Sequence, residues 1–442
     1  MEVSTIFIVS DLHVGGGTRD PGDDHVYSNN QFENFITQLT SSAEGQHGTT
    51  ELYINGDFLE FAQTLQHAYV RLAHDFWCSE DESCEKLQAI VDGHPGIFDA
   101  LKRFHAGGNL ITIAAGNHDV DLYWPKVQHN IRDRVGTNVA FDLGSQWYER
   151  FGGRLQISHG HQDDKANRFA HWDCPIKSAE FDIRRLEMCP GTRFMVEVVN
   201  KLELDYPFAD NLQPATKLAT VLLREDKRGL AMAAWTFLTF VLSSPATAGA
   251  NSNPMEAALL RRFRTDNKFL DKISRELAPY EGGITPALLR EKGRSIEGIA
   301  SILALGLTFL PFDKWTSLFA SGDGFALGSE DGRTLGIIGS VRNIDYKKEF
   351  RKIATRRFAD VVTAQIVVLG HTHLPDSVDD GDRKYFNPGS WTRYLVIERE
   401  ATVTMDQLQD ESKFPYELNC VKVSQIANGA LSSELVTLER SS

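Results

Sequence analysis

Gln365–His373 reads QIVVLGHTH. Ile366–Leu369 is a short apolar run rich in β-branched residues, the pattern of a buried strand. Gly370 ends the run, and histidines follow at 371 and 373. In extended backbone alternate side chains point the same way, so both imidazoles are expected to reach one point at the strand's carboxyl end. Two imidazoles converging from a rigid element suit a metal ion better than packing.

Outward from this stretch the same unit recurs. Residues 5–10, TIFIVS, form an apolar strand followed by Asp11-Leu12-His13. Glu51–Ile54 forms another and ends in Asn55-Gly56-Asp57. Asn109–Ala114 runs into Gly116-Asn117-His118-Asp119, and Arg154–Ser158 into His159-Gly160-His161. Between them, residues 29–40 have helical spacing, and two or three helices are expected over 63–106. The clearest follows Pro95 and stops at Gly107-Gly108. In open α/β sheets functional groups gather at the carboxyl ends of the strands. Carboxylate, carboxamide and imidazole donors without a thiolate suit manganese, iron, zinc or a related divalent ion.

On these pieces the chain resembles the calcineurin-like metallophosphoesterases. The matching motifs are Asp11-x-His13, Gly56-Asp57, Gly116-Asn117-His118-Asp119, His159-Gly160 and Gly370-His371-Thr372-His373, in that order and each after an expected strand. The likeness covers roughly residues 4–162 and 360–395. It implies an α/β fold: a four-layer α-β-β-α sandwich with a large, mainly helical inserted cap. It also implies a site for two divalent metal ions, manganese first, with Fe, Zn, Ni or Co as the other candidates. Asp11, His13 and His373 would hold one ion, Asn117, His159 and His371 the other, and Asp57 would bridge them. Two cations about 3.5–4 Å apart clamp a phosphoryl group and lower the pKa of a bound water, which then attacks phosphorus in line. His118 would face the phosphate and protonate the leaving oxygen, with Asp119 orienting it. One departure stands out. The second motif is GDFLE, so Glu60 is the only acidic residue soon after Gly-Asp.

Composition sets the frame. The chain has 442 residues, 42% hydrophobic and 24% charged, enough for a full core and more than one domain. From about 165 to 350 no strand-then-ligand unit occurs, and the charge changes. That segment carries 25 basic and 23 acidic residues against 21 and 37 in the remainder. The expected organisation is a core over 1–164, an inserted helical cap over 165–350, and the rest of the core over 351–442. A helix is expected near 346–362, and strand-like segments near 393–398, 401–405 and 417–423. The net charge of −14 disfavours a general nucleic-acid binder, although the cap is less acidic. Five scattered cysteines point to a reducing, cytoplasmic compartment, and the N-terminus shows no signal-peptide pattern. The longest apolar runs, 230–242 and 299–310, are shorter than the roughly 18 residues that span a bilayer. They suit buried helices, or a greasy cap face for an acyl chain or peripheral membrane contact.

The expected activity is therefore metal-dependent hydrolysis of a phosphorylated small molecule, as a phosphodiesterase or phosphatase. A pyrophosphatase acting on a nucleotide-linked lipid or sugar, similar to the UDP-2,3-diacylglucosamine hydrolases, is the first rival, and a nuclease the second. A non-catalytic scaffold predicts gaps among the ligands, and there are none. His161 is readable as an alternate ligand, a substrate contact or a structural residue. Asn387-Pro388-Gly389-Ser390 reads as a plain turn, the basic cluster Arg261–Arg264 as a solvated helix face, and His105, His129 and His171 as surface or packing residues.

Overall fold

The computed structural model describes residues 3–17, 29–46, 48–65, 76–178, 183–203, 205–207, 211–213, 261–279, 283–294, 345–396, 403–410 and 417–439, with runs of one to three residues between 221 and 233 and between 298 and 310. Its strands are β1 (Thr5–Val9), β2 (Thr50–Asn55), β3 (Leu110–Ala114), β4 (Ala140–Asp142), β5 (Tyr148–Arg150), β6 (Leu155–Ser158), β7 (Ile176–Ser178), β8 (Arg184–Leu186), β9 (Leu212–Gln213), β10 (Ile366–Leu369), β11 (Asp376–Asp379), β12 (Lys384–Asn387), β13 (Leu395–Val396), β14 (Asn419–Gln425) and β15 (Leu431–Thr437). The fold is mixed α/β. The chain divides into two compact units, one of Met1–Thr192, Ile344–Arg393 and Pro415–Ser442, the other of Arg193–Asn343 and Tyr394–Phe414.

The first unit carries two mixed sheets. One has the order β15-β14-β1-β2-β3-β4, with β1 to β4 parallel and β14 antiparallel on the outer edge of β1. The other has the order β11-β12-β10-β6-β5, with β10 parallel to both β6 and β12. Parallel strands are covered on both faces, so they need apolar side chains at every position rather than at alternate ones. TIFIV and IVVL, apolar but for Thr5, sit in strands buried throughout, and LQIS is buried throughout as well, its Gln156 and Ser158 included. Ile6, Ile8 and Tyr53 of one sheet share a core with Ile157, Ile366 and Val368 of the other. The helix Tyr346–Asp360 covers the second sheet through Phe350, Ile353 and Phe358, which pack with Val367 and Leu369. Phe35 of the helix Asn29–Ser41 meets the ring of Phe7 in β1, at a centroid distance of 6.4 Å.

The boundaries differ from the sequence-based expectation in two places. Residues 165–192 belong with the first unit. They carry the β7–β8 hairpin and bond to motif residues, as when Thr192 Oγ1 donates to the carbonyl of Asn117 at 3.5 Å. Residues 394–414 belong with the second unit, where β13 pairs with β9. The strand expected near 401–405 is absent from the described part. Met405–Gln409 is a helix there, because Thr404 and Gln407 form a reciprocal capping box that favours a helix start. In the second unit, where a mainly helical segment was expected, the short strand β9 appears. Of Leu230–Leu242 only Ala233 lies within the described residues, whereas Ile299, Ile302 and Leu310 of the later run are buried. The basic cluster is a helix face: Phe263 is buried, Arg262 stacks over the Phe269 ring, and Arg264 donates to the Arg294 carbonyl. No helix among the described residues is long and apolar enough to cross a membrane. All five cysteines are free.

Candidate metal centre

The strands β1, β2 and β3 run parallel, as do β6 and β10, so their carboxyl ends deliver all five motifs as loops. Those loops are tight. Among the described non-glycine residues seven have left-handed backbone, and five of them are Asp11, His13, Asp57, His371 and His373, with φ between 46° and 67°. Left-handed backbone costs a non-glycine residue about 1 kcal/mol or more, and it persists where the surroundings over-determine it. That five expected ligands share it marks the loop ends as a site. Two glycines are needed for the close approach. A Cβ on Gly56 would strike the His159 ring, and one on Gly116 would strike the Asp57 carboxylate.

His371 and His373 do not converge by strand alternation, as extended backbone would require. Both follow β10 in left-handed turns, and their rings part. His373 Nε2 lies 3.0 Å from His13 Nε2 and 3.5 Å from Asp11 Oδ1. His371 lies with its ring centroid 5.3 Å from that of His159. Three overlapping groups result, each with ligand atoms within 4.8 Å of one another: Asp11, His13 and His373; Asp57, His159 and His371; and His13, Asp57 and His118. Asp57 is common to two of them.

The donor atoms are prepared for a cation. Ser10 Oγ and the His371 amide both donate to Asp11 Oδ2, at 2.5 and 2.9 Å, and Asp11 Oδ1 is left buried without a hydrogen bond. His159 Nδ1 lies 2.8 Å from the Asn55 carbonyl. That contact puts the ring hydrogen on Nδ1 and turns Nε2 inward as a lone-pair donor. His159 Nε2 sits 3.1 Å from Asp57 Oδ2 without hydrogen-bond geometry. Asn117 Oδ1 is also buried and unpaired, while its Nδ2 donates to Asn167 at 3.4 Å. Buried polar atoms are almost always satisfied. Three orphaned acceptors on three expected ligands therefore fit a cation.

Glu60 supplies what the second motif lacked. It is wholly buried, with Oε2 2.7 Å from His13 Nδ1 and Oε1 and Oε2 2.9 and 2.7 Å from His118 Nδ1. One carboxylate thus fixes two rings and leaves Nε2 of each to face the site. Asp119, expected to orient His118, does not. It accepts from the backbone amides of Gly116 at 2.6 Å, Phe58 at 2.8 Å and Asp57 at 3.3 Å, and so ties the third motif to the second. A carboxylate two bonds from its own Cα reaches the adjacent turn more readily than the imidazole beside it, whereas Glu60 comes from a facing loop.

The electrostatics follow the geometry. Burial opposes a charge on His118, but Glu60 and Asp57 outweigh it and hold its pKa up at about 10. Burial likewise opposes a charge on His159, and Asp57 with Asp11 lifts it to about 9. Burial resists ionisation of Asp57, yet His159 and His118 hold its carboxyl well below the usual range. Burial and then Asp57 push Asp119 up to about 7. Burial and the neighbouring His159 keep His161 well below the ordinary histidine value. His161 packs on Trp172 at a centroid distance of 4.3 Å, and its Nδ1 is buried without a partner.

Two sets of contacts were not legible in the motifs. Asp164 and Asn167 reach His371, with Asp164 Oδ2 3.1 Å and Asn167 Nδ2 3.4 Å from its Nε2. The only signal was their place just after HGH. The segment Asn387–Ser390 is more than a turn. Asn387 Nδ2 donates to the Gly370 carbonyl at 2.9 Å and Thr372 Oγ1 at 3.1 Å, and Ser390 Oγ donates to the Asp11 carbonyl at 2.8 Å. It braces the first and last motifs together. His129 and His171 pair on the outside with Asp133 and Glu187, as expected of surface residues.

No protein-family model matches the chain, and no curated protein matches it.

Proposed function

We propose that this chain is a dinuclear metal-dependent hydrolase of phosphate esters of the calcineurin-like metallophosphoesterase kind. One observation carries the proposal: five strand ends gather three overlapping His/Asp groups, two of which share Asp57, with orphaned buried atoms on Asp11, Asn117 and His159. The core shared by the two sheets, with the helix Tyr346–Asp360 outside one of them, supports the four-layer arrangement. The unit of Arg193–Asn343 stands, in chain order, where the inserted cap belongs.

Asp11, His13 and His373 would hold one cation and Asn117, His159 and His371 the other, with Asp57 shared between them. When bound, such cations neutralise phosphoryl oxygens and acidify a nucleophilic water. Asn117 binds through a neutral oxygen and so limits the negative charge around the substrate. His118 carries the proton. Its Nδ1 is committed to Glu60, so Nε2 is the atom that donates to the leaving oxygen. Glu60 keeps that imidazole charged until the proton moves. Asp57→Asn tests the proposal: phosphodiesterase and phosphatase turnover should vanish and bound manganese, measured by elemental analysis, should fall. Full activity in that variant would refute it.

A further inference from the structure

Asp164 and Asn167 lie in one turn just after β6, outside every ligand group described above. Both are part-buried, and both touch residues assigned to the second cation. Asp164 Oδ2 is 3.1 Å from His371 Nε2. Asn167 Nδ2 donates to the same Asp164 oxygen at 2.9 Å, and Asn167 Oδ1 accepts from Asn117 Nδ2 at 3.4 Å. The turn is anchored from its far side. Asp164 Oδ1 accepts from the Ala166 amide at 2.9 Å, the Gly191 amide donates to the Ala166 carbonyl at 2.7 Å, and a Cβ on Gly191 would strike the Asn167 side chain.

We propose that Asp164 and Asn167 are positioning residues for the second cation, a clamp that orients His371 and Asn117 together. The inference rests on the dinuclear reading given above. Asp164 draws the ring hydrogen of His371 onto Nε2 and leaves Nδ1 as the donor atom. Asn167 holds the Asn117 amide by its nitrogen, so that Oδ1 turns inward. One turn thereby sets two ligands of the same ion. His13 of the first cation is held instead by Glu60, so weakening this turn should fall mainly on the second position.

The test is manganese binding to the full chain stripped of metal, followed by calorimetry and by the electron paramagnetic resonance of exchange-coupled manganese pairs. The wild type should take two equivalents and show the coupled signal. Asp164→Ala should weaken one equivalent by about 10–100-fold, leave the other unchanged and replace the coupled signal by an isolated one. Asp164→Asn keeps an oxygen that accepts from Nε2 and should retain most of the affinity. Asn167→Ala should weaken the same equivalent, and it carries the test if Asp164→Ala does not fold. Equal losses in Asp164→Ala and Asp164→Asn would overturn the positioning role. So would two undisturbed equivalents in Asp164→Ala and Asn167→Ala. A wild type that takes up no manganese would instead sink the dinuclear reading itself.

Discussion

Glu60→Gln is the sharpest perturbation the site offers, because it changes one charge and almost no volume. The carboxylate accepts from His13 Nδ1 at 2.7 Å and from His118 Nδ1 at 2.7–2.9 Å. Oε2 alone lies 2.7 Å from both rings, so a carboxamide oxygen in its place can still accept from both, and the change is chiefly the loss of a charge. The rise of the His118 pKa from 6.5 to about 10 corresponds to about 5 kcal/mol in favour of the imidazolium. Glu60 leads the contributions that favour it, ahead of Asp57. Losing that charge should bring the pKa down toward the ordinary histidine value. A proton donor must be protonated to act, so the alkaline limb of the rate profile should move toward acid. The first cation should also bind more weakly, since the partner that orients His13 loses its charge. The assay is the pH profile of kcat for aliphatic phosphodiesters, with manganese affinity measured alongside. An unshifted alkaline limb together with unchanged manganese affinity would refute the assignment of Glu60 to both rings.

Other perturbations separate the remaining roles. His118→Ala should slow esters with poor leaving groups at least tenfold more than nitrophenyl esters, which need no proton; equal losses in the two series would remove the proton-donor role. Asn387→Ala should cost about 1–3 kcal/mol, because the buried bonds from its side chain to the Gly370 carbonyl and Thr372 Oγ1 are lost. Urea unfolding reads that loss, and loosened His371 and His373 should also weaken manganese binding. Asp121 is buried, accepts from Ser83 Oγ and Trp77 Nε1, and has its pKa pushed by burial from 3.8 up to about 6. Its folded pKa lies above its unfolded one, so its stabilising contribution is full below pH 3.8 and is lost as pH rises through 6. The loss is about 3 kcal/mol. Asp121→Asn cannot ionise, so the stability difference between wild type and variant should drift against the wild type between pH 4 and pH 7. Parallel pH curves would show that Asp121 does not titrate in that window.

What the sequence disclosed and what it hid divide along a physical line. Strand ends were legible because two local signals coincide there: a short, mostly apolar run, and a break straight into ligand-type residues, usually with glycine beside them. Such runs mean parallel strands covered on both faces, and parallel strands send their carboxyl ends to one side. Hence Asp11, Asp57, Asn117, His159 and the two terminal histidines were found without contacts. The direction of each ring was not legible. His371 and His373 stand two apart, and extended backbone would aim them together; both have left-handed backbone instead and fall into different ligand groups. A ligand that must serve a different cation from its near neighbour needs such a turn. The partners behind the ligands were hidden for a related reason. Asp119 is next to His118 in the chain yet bonds to backbone amides, while Glu60 is 58 positions away and holds the ring. An orienting carboxylate has to approach the imidazole edge opposite the reacting atom. That edge faces away from the motif's own loop, so the partner must come from another one. The same geometry places Asp164 behind His371 and Asn387 behind Gly370. For a site assembled from loop ends, then, the inward-facing atoms are written into short motifs, and the atoms that aim them belong to whichever segment folds across the back.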